Sequence, residues 1–341
     1  MNRKKFLATS AVVGSGLLIC KDLFATDREP RYGHNGMRYK MNTGWGRLDS
    51  GKYPVNDCHE MVMDNKGRIL MLGNDTHNNV LIYNKSGRLL DSWGTKFPGA
   101  HGLTIADEND LQFLYITDTD THQVFKTTMD GEIQLTINVP LDGGLYTKAD
   151  EFKPTEVAVD TNGDFFVADG YGSQYILHYD GKGNLKSYFG GKGEGDEHLD
   201  NAHGITIDRR NLIPTLLVTD RTRNCFKRFS MEGRYIETIK LPGACVCRPV
   251  IRGQNLYAAV LRSPDLSVEK SGFVTVLDKN NKVVSNIGGT EPMYNNGVLQ
   301  PMAQKEKIFV HPHDVCVDDD ENIYVAQWAS GKVYPYKFTR V

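Results

Sequence analysis

Three stretches decide the reading of this chain: Ala100-His101-Gly102-Leu103-Thr104-Ile105, Ala202-His203-Gly204-Ile205-Thr206-Ile207 and Pro312-His313-Asp314-Val315-Cys316-Val317. In each, a histidine opens a short apolar run. A polar turn follows, then a second apolar run: Leu114-Tyr115-Ile116-Thr117-Asp118, Leu216-Leu217-Val218-Thr219-Asp220 and Ile323-Tyr324-Val325-Ala326. Short apolar, β-branched and aromatic runs bounded by turn residues read as strands, so these are copies of one β unit.

Working outward, six copies emerge. The first runs from His59-Glu60-Met61-Val62 through Ile69-Leu70-Met71-Leu72 and Val80-Leu81-Ile82-Tyr83 to Leu89-Leu90-Asp91-Ser92-Trp93-Gly94. The second starts at His101, the third at Thr155-Glu156-Val157, the fourth at His203 and the sixth at His313. The fifth is degenerate, with Asn255 to Val260 and Phe273 to Leu277 as its clearer strands and an insertion over 262–272. Four short strands per copy at a spacing of roughly 40–55 residues mean propeller blades. The sixth copy is one strand short, and Met37 to Gly46 mirrors the ending of the first. The expectation is an all-β, six-bladed β-propeller over 55–341, with 26–54 supplying the closing outer strand and removing an exposed edge.

Residues 1–25 read as an export signal. Arg3-Lys4-Lys5-Phe6-Leu7 is a basic segment resembling a twin-arginine signal, Ala8 to Ile19 is modestly apolar, and Leu23-Phe24-Ala25 offers a cleavage site. The expected location is therefore periplasmic or secreted, with lipid attachment at Cys20 a lesser alternative. The apolar run is too short for stable membrane insertion. A formal net charge of −2, with no basic cluster beyond the amino terminus, disfavours nucleic acid as a partner. Five cysteines follow the signal, so they cannot all pair internally; Cys58 and Cys316 either pair or serve as small buried apolar residues. A monomer acting on a small-molecule or peptide-derived substrate is expected.

The inner strand of every blade lines the central channel, so a residue opening that strand sits near one mouth. His101, His203 and His313 belong to alternate blades, about 120° apart in a six-fold ring. Three imidazoles converging on an axis with one position left open suit catalytic zinc. The bland reading is that each histidine only caps its strand. His59 occupies the same register in the first blade, as a fourth ligand, an outer partner or a substrate contact. On the same mouth lie Asp169-Gly170-Tyr171 and Asp220-Arg221. A tyrosine acts as a base when positive charge lowers its phenol from about 10, and Arg221 and a metal would do so.

These residues resemble the catalytic domain of peptidylglycine α-amidating lyase, within the wider NHL-repeat propellers. The matching phrases over about residues 55–340 are His101-Gly102-Leu103, His122-Gln123-Val124-Phe125-Lys126, Pro154 to Asp160, Asp169-Gly170-Tyr171, Asp220-Arg221 and Pro312-His313-Asp314. The resemblance implies zinc on His101, His203 and His313. It implies a structural calcium deeper in the channel, held by the Asp314 carboxylate and backbone carbonyls near Leu103 and Met61. It makes Tyr171 the general base, with Arg221 lowering its pKa. The implied reaction splits a peptidyl-α-hydroxyglycine into peptide amide and glyoxylate.

The chain departs from that family where substrate is recognised. Asn74 stands in the register of a second active-site arginine, His311 replaces a methionine, and Gly172 replaces a paired cysteine. We therefore expect Asn74, His311, His59 and Trp328 to face substrate, and the substrate itself to differ. One alternative is a metal-assisted lyase acting on a sugar or other small molecule, with Trp45, Trp93 and Trp328 as stacking surfaces. The other is a non-catalytic NHL-repeat scaffold, which requires neither metal nor Tyr171 and Arg221.

Overall fold

A computed structural model describes residues 29–341, so the export-signal reading lies outside the described residues. Arg31–Val341 forms one compact unit. Its six blades are antiparallel sheets arranged in chain order. One turn of 3-10 helix at Ala149–Glu151 is the only helical element among the described residues. The inner strands are Cys58–Met63, Ala100–Glu108, Glu156–Val159, Ile205–Asp208, the broken pair Cys245–Val246 and Val250–Arg252, and Pro312–Val317.

The hairpins within blades follow from turn chemistry. In the first blade the Asp64 carboxylate accepts from Lys66 N at 3.0 Å and Arg68 N at 2.8 Å, while Gly67 takes φ +72°. An acidic residue folding back on the backbone, followed by glycine in the left-handed region, closes a tight hairpin. The same form recurs at Gly183, where Asp180 accepts from Lys182 N and Asn184 N, and at Gly233 the Ser230 hydroxyl takes the acidic residue's place.

Apolar residues from both faces of each sheet meet those of the next blade, giving six core clusters around the ring. The last of these seams joins the ends of the chain. Tyr39–Asn42 pairs antiparallel with Tyr336–Arg340 as the outer strand of the sixth blade, Tyr39 opposite Arg340. Trp45 is buried there between Tyr83 and Tyr324, ring centroids 5.2 and 4.7 Å away, and its Nε1 donates to the Lys85 carbonyl at 3.1 Å. Trp45 is thus a packing residue and no sugar-stacking surface. All five cysteines from Cys58 onward are buried free thiols, so Cys58 and Cys316 take the small-apolar role.

Candidate metal and catalytic site

The inner strands carry local irregularities where the site needs them. The ladder slips between Cys58 and Glu60, between Ala100 and Leu103, and between Pro312 and Asp314. Each slip brackets a histidine: His59, His101 or His313. A bulge bends its strand and re-aims the extra side chain, here into the channel.

The imidazoles meet. Ring centroids of His101 and His313 lie 5.0 Å apart, and His203 sits 4.7 and 4.8 Å from them. His59 lies 5.0 Å from both on their other flank. His101 Nδ1 donates to the Thr155 carbonyl at 2.9 Å and His313 Nδ1 to the His59 carbonyl at 3.0 Å. These bonds fix each tautomer and turn a bare Nε2 toward the cluster, as outer hydrogen bonds do for metal-binding histidines. Burial pushes all four imidazoles down, to about 4 for His59 and well below the usual range for His101, His203 and His313. Neutral imidazole is the form that binds metal.

Donor type, protonation and spacing therefore fit a metal ion. The group whose ligand atoms all lie within 4.8 Å of one another is His59, His101 and His313. His203 joins through His101, their Nε2 atoms 3.1 Å apart. The sequence pattern had set His59 aside; the geometry gives it a place equal to His203.

Tyr171 and Arg221 adjoin this cluster. The Tyr171 hydroxyl lies 3.2 Å from His101 Nε2 and accepts from Arg221 Nη1 at 3.4 Å. Its ring is 39 % exposed along the open mouth, while the hydroxyl sits at the crowded end. Burial of that end pushes the phenol up and the Arg221 charge opposes it. Arg221 is buried and held by the Val246 carbonyl at 3.3 Å and Cys247 Sγ at 3.2 Å. Cys247, from the broken inner strand of the fifth blade, is a contact the repeat pattern did not single out.

One residue further in, the six strands contribute Glu60, Gly102, Glu156, Gly204, Arg248 and Asp314 to the next ring. Here the calcium expectation is corrected. Arg248 donates to Asp314 Oδ2 at 2.7 Å, to the Leu103 carbonyl at 2.8 Å and to the Met61 carbonyl at 3.1 Å. These are the oxygens expected to hold calcium. A guanidinium already occupies this place with its planar array of donors, and its positive charge opposes a divalent cation beside it. Glu60 Oε2 and Glu156 Oε2 complete the cage, 3.4 and 3.6 Å from the guanidinium. Burial, with Glu156 and Asp314 adding to it, holds the Glu60 carboxyl well above its usual range despite Arg248. Gly204 is required beside this group, because a Cβ there would lie 2.5 Å from Arg248 Cα. Beyond Arg248 a cavity of about 340 Å³ opens on the opposite side of the ring.

The expected substrate contacts divide. Asn74 accepts from Asp57 N at 3.0 Å and donates to Asp57 Oδ2 at 3.2 Å, so both polar ends tie a loop. His311 is buried, with Nε2 2.7 Å from Glu269 Oε2, and its carbonyl accepts from Trp328 N at 2.9 Å. It therefore fastens the 262–272 insertion to the sixth blade. The Trp328 ring, partly buried, lies 5.9 Å from that of His311.

No family model matches the chain. Curated proteins do. Peptidyl-α-hydroxyglycine α-amidating lyase 1 of Drosophila melanogaster is 29% identical over 276 residues, covering 74% of this chain and 47% of the relative. A probable peptidyl-α-hydroxyglycine α-amidating lyase of Caenorhabditis elegans is 34% identical over 169 residues, 48% of this chain and 47% of the relative. The chain thus matches about half the length of each. Among solved structures, a gluconolactonase of Xanthomonas campestris superposes with TM-score 0.60 at 11% identity, covering 92% of this chain and 95% of that one, a likeness of fold alone. The chain is a six-bladed β-propeller similar in sequence to the peptidyl-α-hydroxyglycine α-amidating lyases.

Proposed function

We propose that this protein is an exported, metal-dependent lyase that breaks a C–N bond next to a hydroxyl-bearing carbon, as in a peptidyl-α-hydroxyglycine. One observation carries the reading: the Tyr171 hydroxyl lies between His101 Nε2 at 3.2 Å and Arg221 Nη1 at 3.4 Å, at the edge of a cluster of neutral imidazoles. A phenol in that position has a cation to favour its ionised form and an open channel beside it.

In this reading Tyr171 is the base. Its phenolate takes the substrate hydroxyl proton, the oxygen's electrons form the new carbonyl, and the C–N bond breaks toward nitrogen. The phenol then returns the proton to the amide nitrogen, so peptide amide and glyoxylate leave with no net change at the protein. Arg221 stabilises the phenolate, and Cys247 and the Val246 carbonyl hold Arg221 in line. The imidazoles would hold zinc, which when bound supplies Lewis-acid polarisation of the substrate oxygen. Export rests on the amino-terminal pattern, and no helix among the described residues is long and apolar enough to cross a membrane.

A specific observation favours a second substrate for the same chemistry. Asn74, in the register of a carboxylate-binding arginine, is neutral and tied to Asp57. A substrate without that carboxylate, such as a small neutral carbinolamide, would fit the altered recognition. The test is glyoxylate release from an N-acylated α-hydroxyglycine by the metal-loaded protein, beside the corresponding hydroxymethyl amide that lacks the carboxylate and would give formaldehyde. Turnover of either supports the lyase reading and their ratio assigns the substrate; turnover of neither, with metal bound, refutes cleavage of a carbinolamide.

A further inference from the structure

We propose that His59 is a ligand of the metal, so that the centre draws on four imidazoles and its ion has coordination number five or six. This rests on the metal reading above and extends it to the one histidine of the cluster that the repeat symmetry leaves over.

The argument starts from the cluster's shape. His101 and His313 form a shared edge, with His203 on one flank and His59 on the other. His59 arises from the same local device as those two, a ladder slip bracketing the residue that opens an inner strand. The atoms that His59, His101 and His313 offer an ion lie within 4.8 Å of one another. Tetrahedral zinc with nitrogens at ~2.0–2.1 Å needs donor separations of only about 3.4 Å, so modest closure around an ion brings the three into range.

A second observation concerns satisfaction. His59 Nδ1 and His203 Nδ1 are buried with no hydrogen-bond partner, whereas His101 and His313 each have theirs on a carbonyl. The hydrogen bond from Nδ1 is what holds a metal-binding imidazole in one orientation, and these two rings lack it. The two rings without a carbonyl partner are those flanking the shared edge, so neither is tied in orientation and both can turn to meet an ion there, which His203 already faces with Nε2.

The consequence is chemical. Three histidines leave a tetrahedral ion one open position; four would close it. An ion that still accepts substrate oxygen must take a fifth or sixth ligand. The geometry of such a site suits cobalt, nickel or ferrous iron, or zinc in its expanded state.

The His59→Ala substitution tests the ring alone, because the His59 carbonyl that orients His313 belongs to the backbone and survives. Purified apoprotein is loaded with Co(II), and its affinity, visible absorption and X-ray absorption edge are recorded for wild type, His59→Ala and His203→Ala. The expected result is a weakly absorbing wild-type complex of five- or six-coordinate cobalt with four imidazoles. In His59→Ala, affinity falls at least about tenfold and the intense bands of a four-coordinate ion appear. Wild-type affinity and an unchanged spectrum in His59→Ala would overturn the inference while leaving the three-histidine reading intact. Three imidazoles counted at the wild-type edge would do the same without any variant. Failure of the wild type to bind cobalt would overturn the metal reading and this inference together.

Discussion

Arg248 grips Asp314 with two nitrogens, Nη2 to Oδ2 at 2.7 Å and Nε to Oδ1 at 3.1 Å, in the ring directly beneath the imidazoles. The same guanidinium takes the Leu103 and Met61 carbonyls. A side chain thus fills the position that the resemblance assigned to calcium.

Breaking a buried ion pair by removing one partner leaves an uncompensated charge. The Arg248→Ala variant should lose about 3–5 kcal/mol of unfolding free energy, read by urea titration. It also frees two carbonyls and the Asp314, Glu60 and Glu156 carboxylates, a hard-oxygen set suited to calcium. Millimolar calcium should therefore raise the melting temperature of the variant and leave that of the wild type unchanged. An equal rise in both proteins would show that Arg248 does not stand in for the ion.

Tyr171→Phe keeps the ring and removes the base. It should lower kcat by about 10²–10⁴-fold with metal content unchanged. Arg221 gives a pH signature of opposite kind. Burial raises the Tyr171 phenol and the Arg221 charge holds it down, so Arg221→Met should move the ascending limb of kcat/KM to higher pH. A limb that stays in place would remove Arg221 from this role.

Gly204 tests how tightly the second ring is built. An added Cβ would lie 2.5 Å from Arg248 Cα and 3.0 Å from Arg248 N, both backbone atoms that cannot swing aside. Gly204→Ala should cost at least about 1–3 kcal/mol by overpacking. Gly44→Ala, whose nearest neighbour would be a side-chain oxygen at 3.4 Å, serves as the control and should be close to neutral.

The fourth blade carries a pH-sensitive contact away from the site. Burial alone would raise the Asp208 carboxyl, but Arg210 at 2.7 Å and Arg228 at 3.0 Å prevail and hold it at about 2. Its folded pKa lies below the unfolded value of about 4, so the ionised form favours folding by roughly 2 kcal/mol at neutral pH. That contribution is lost as pH falls from about 4 to about 2. Asp208→Asn should lose most of this at pH 7 and show a flatter decline in stability across that interval.

Much of this architecture is legible in the chain because each blade is a local object. Strand runs, Asp-to-Gly turns and the short sixth copy suffice for the propeller, and the spacing of His101, His203 and His313 suffices to bring them to one mouth. What escaped depended on contacts between blades. Arg248 lies in the fifth copy, where its own strand breaks between Val246 and Val250, and nothing local distinguishes it from a surface arginine. Its role emerges only when Asp314, Leu103 and Met61, far away in sequence, surround it. His59 was visible in register and open to a ligand, outer-partner or substrate role, and threefold symmetry alone favoured the alternate blades over it. Asn74 and His311 differ from the family at informative positions; the structure ties both polar ends of Asn74 to Asp57 and sets His311 Nε2 against Glu269, while His311 Nδ1 has no partner.

The central claim is that the imidazole cluster at the channel mouth is a metal centre, and elemental analysis of the purified protein tests it most directly. The account predicts close to one equivalent of a transition metal per chain in the wild type, and loss of most of it in His101→Ala, which removes an anchor shared by every ligand set in the cluster. A wild-type protein carrying only a small fraction of an equivalent after incubation with zinc, or a His101→Ala variant that keeps the full amount, would contradict it.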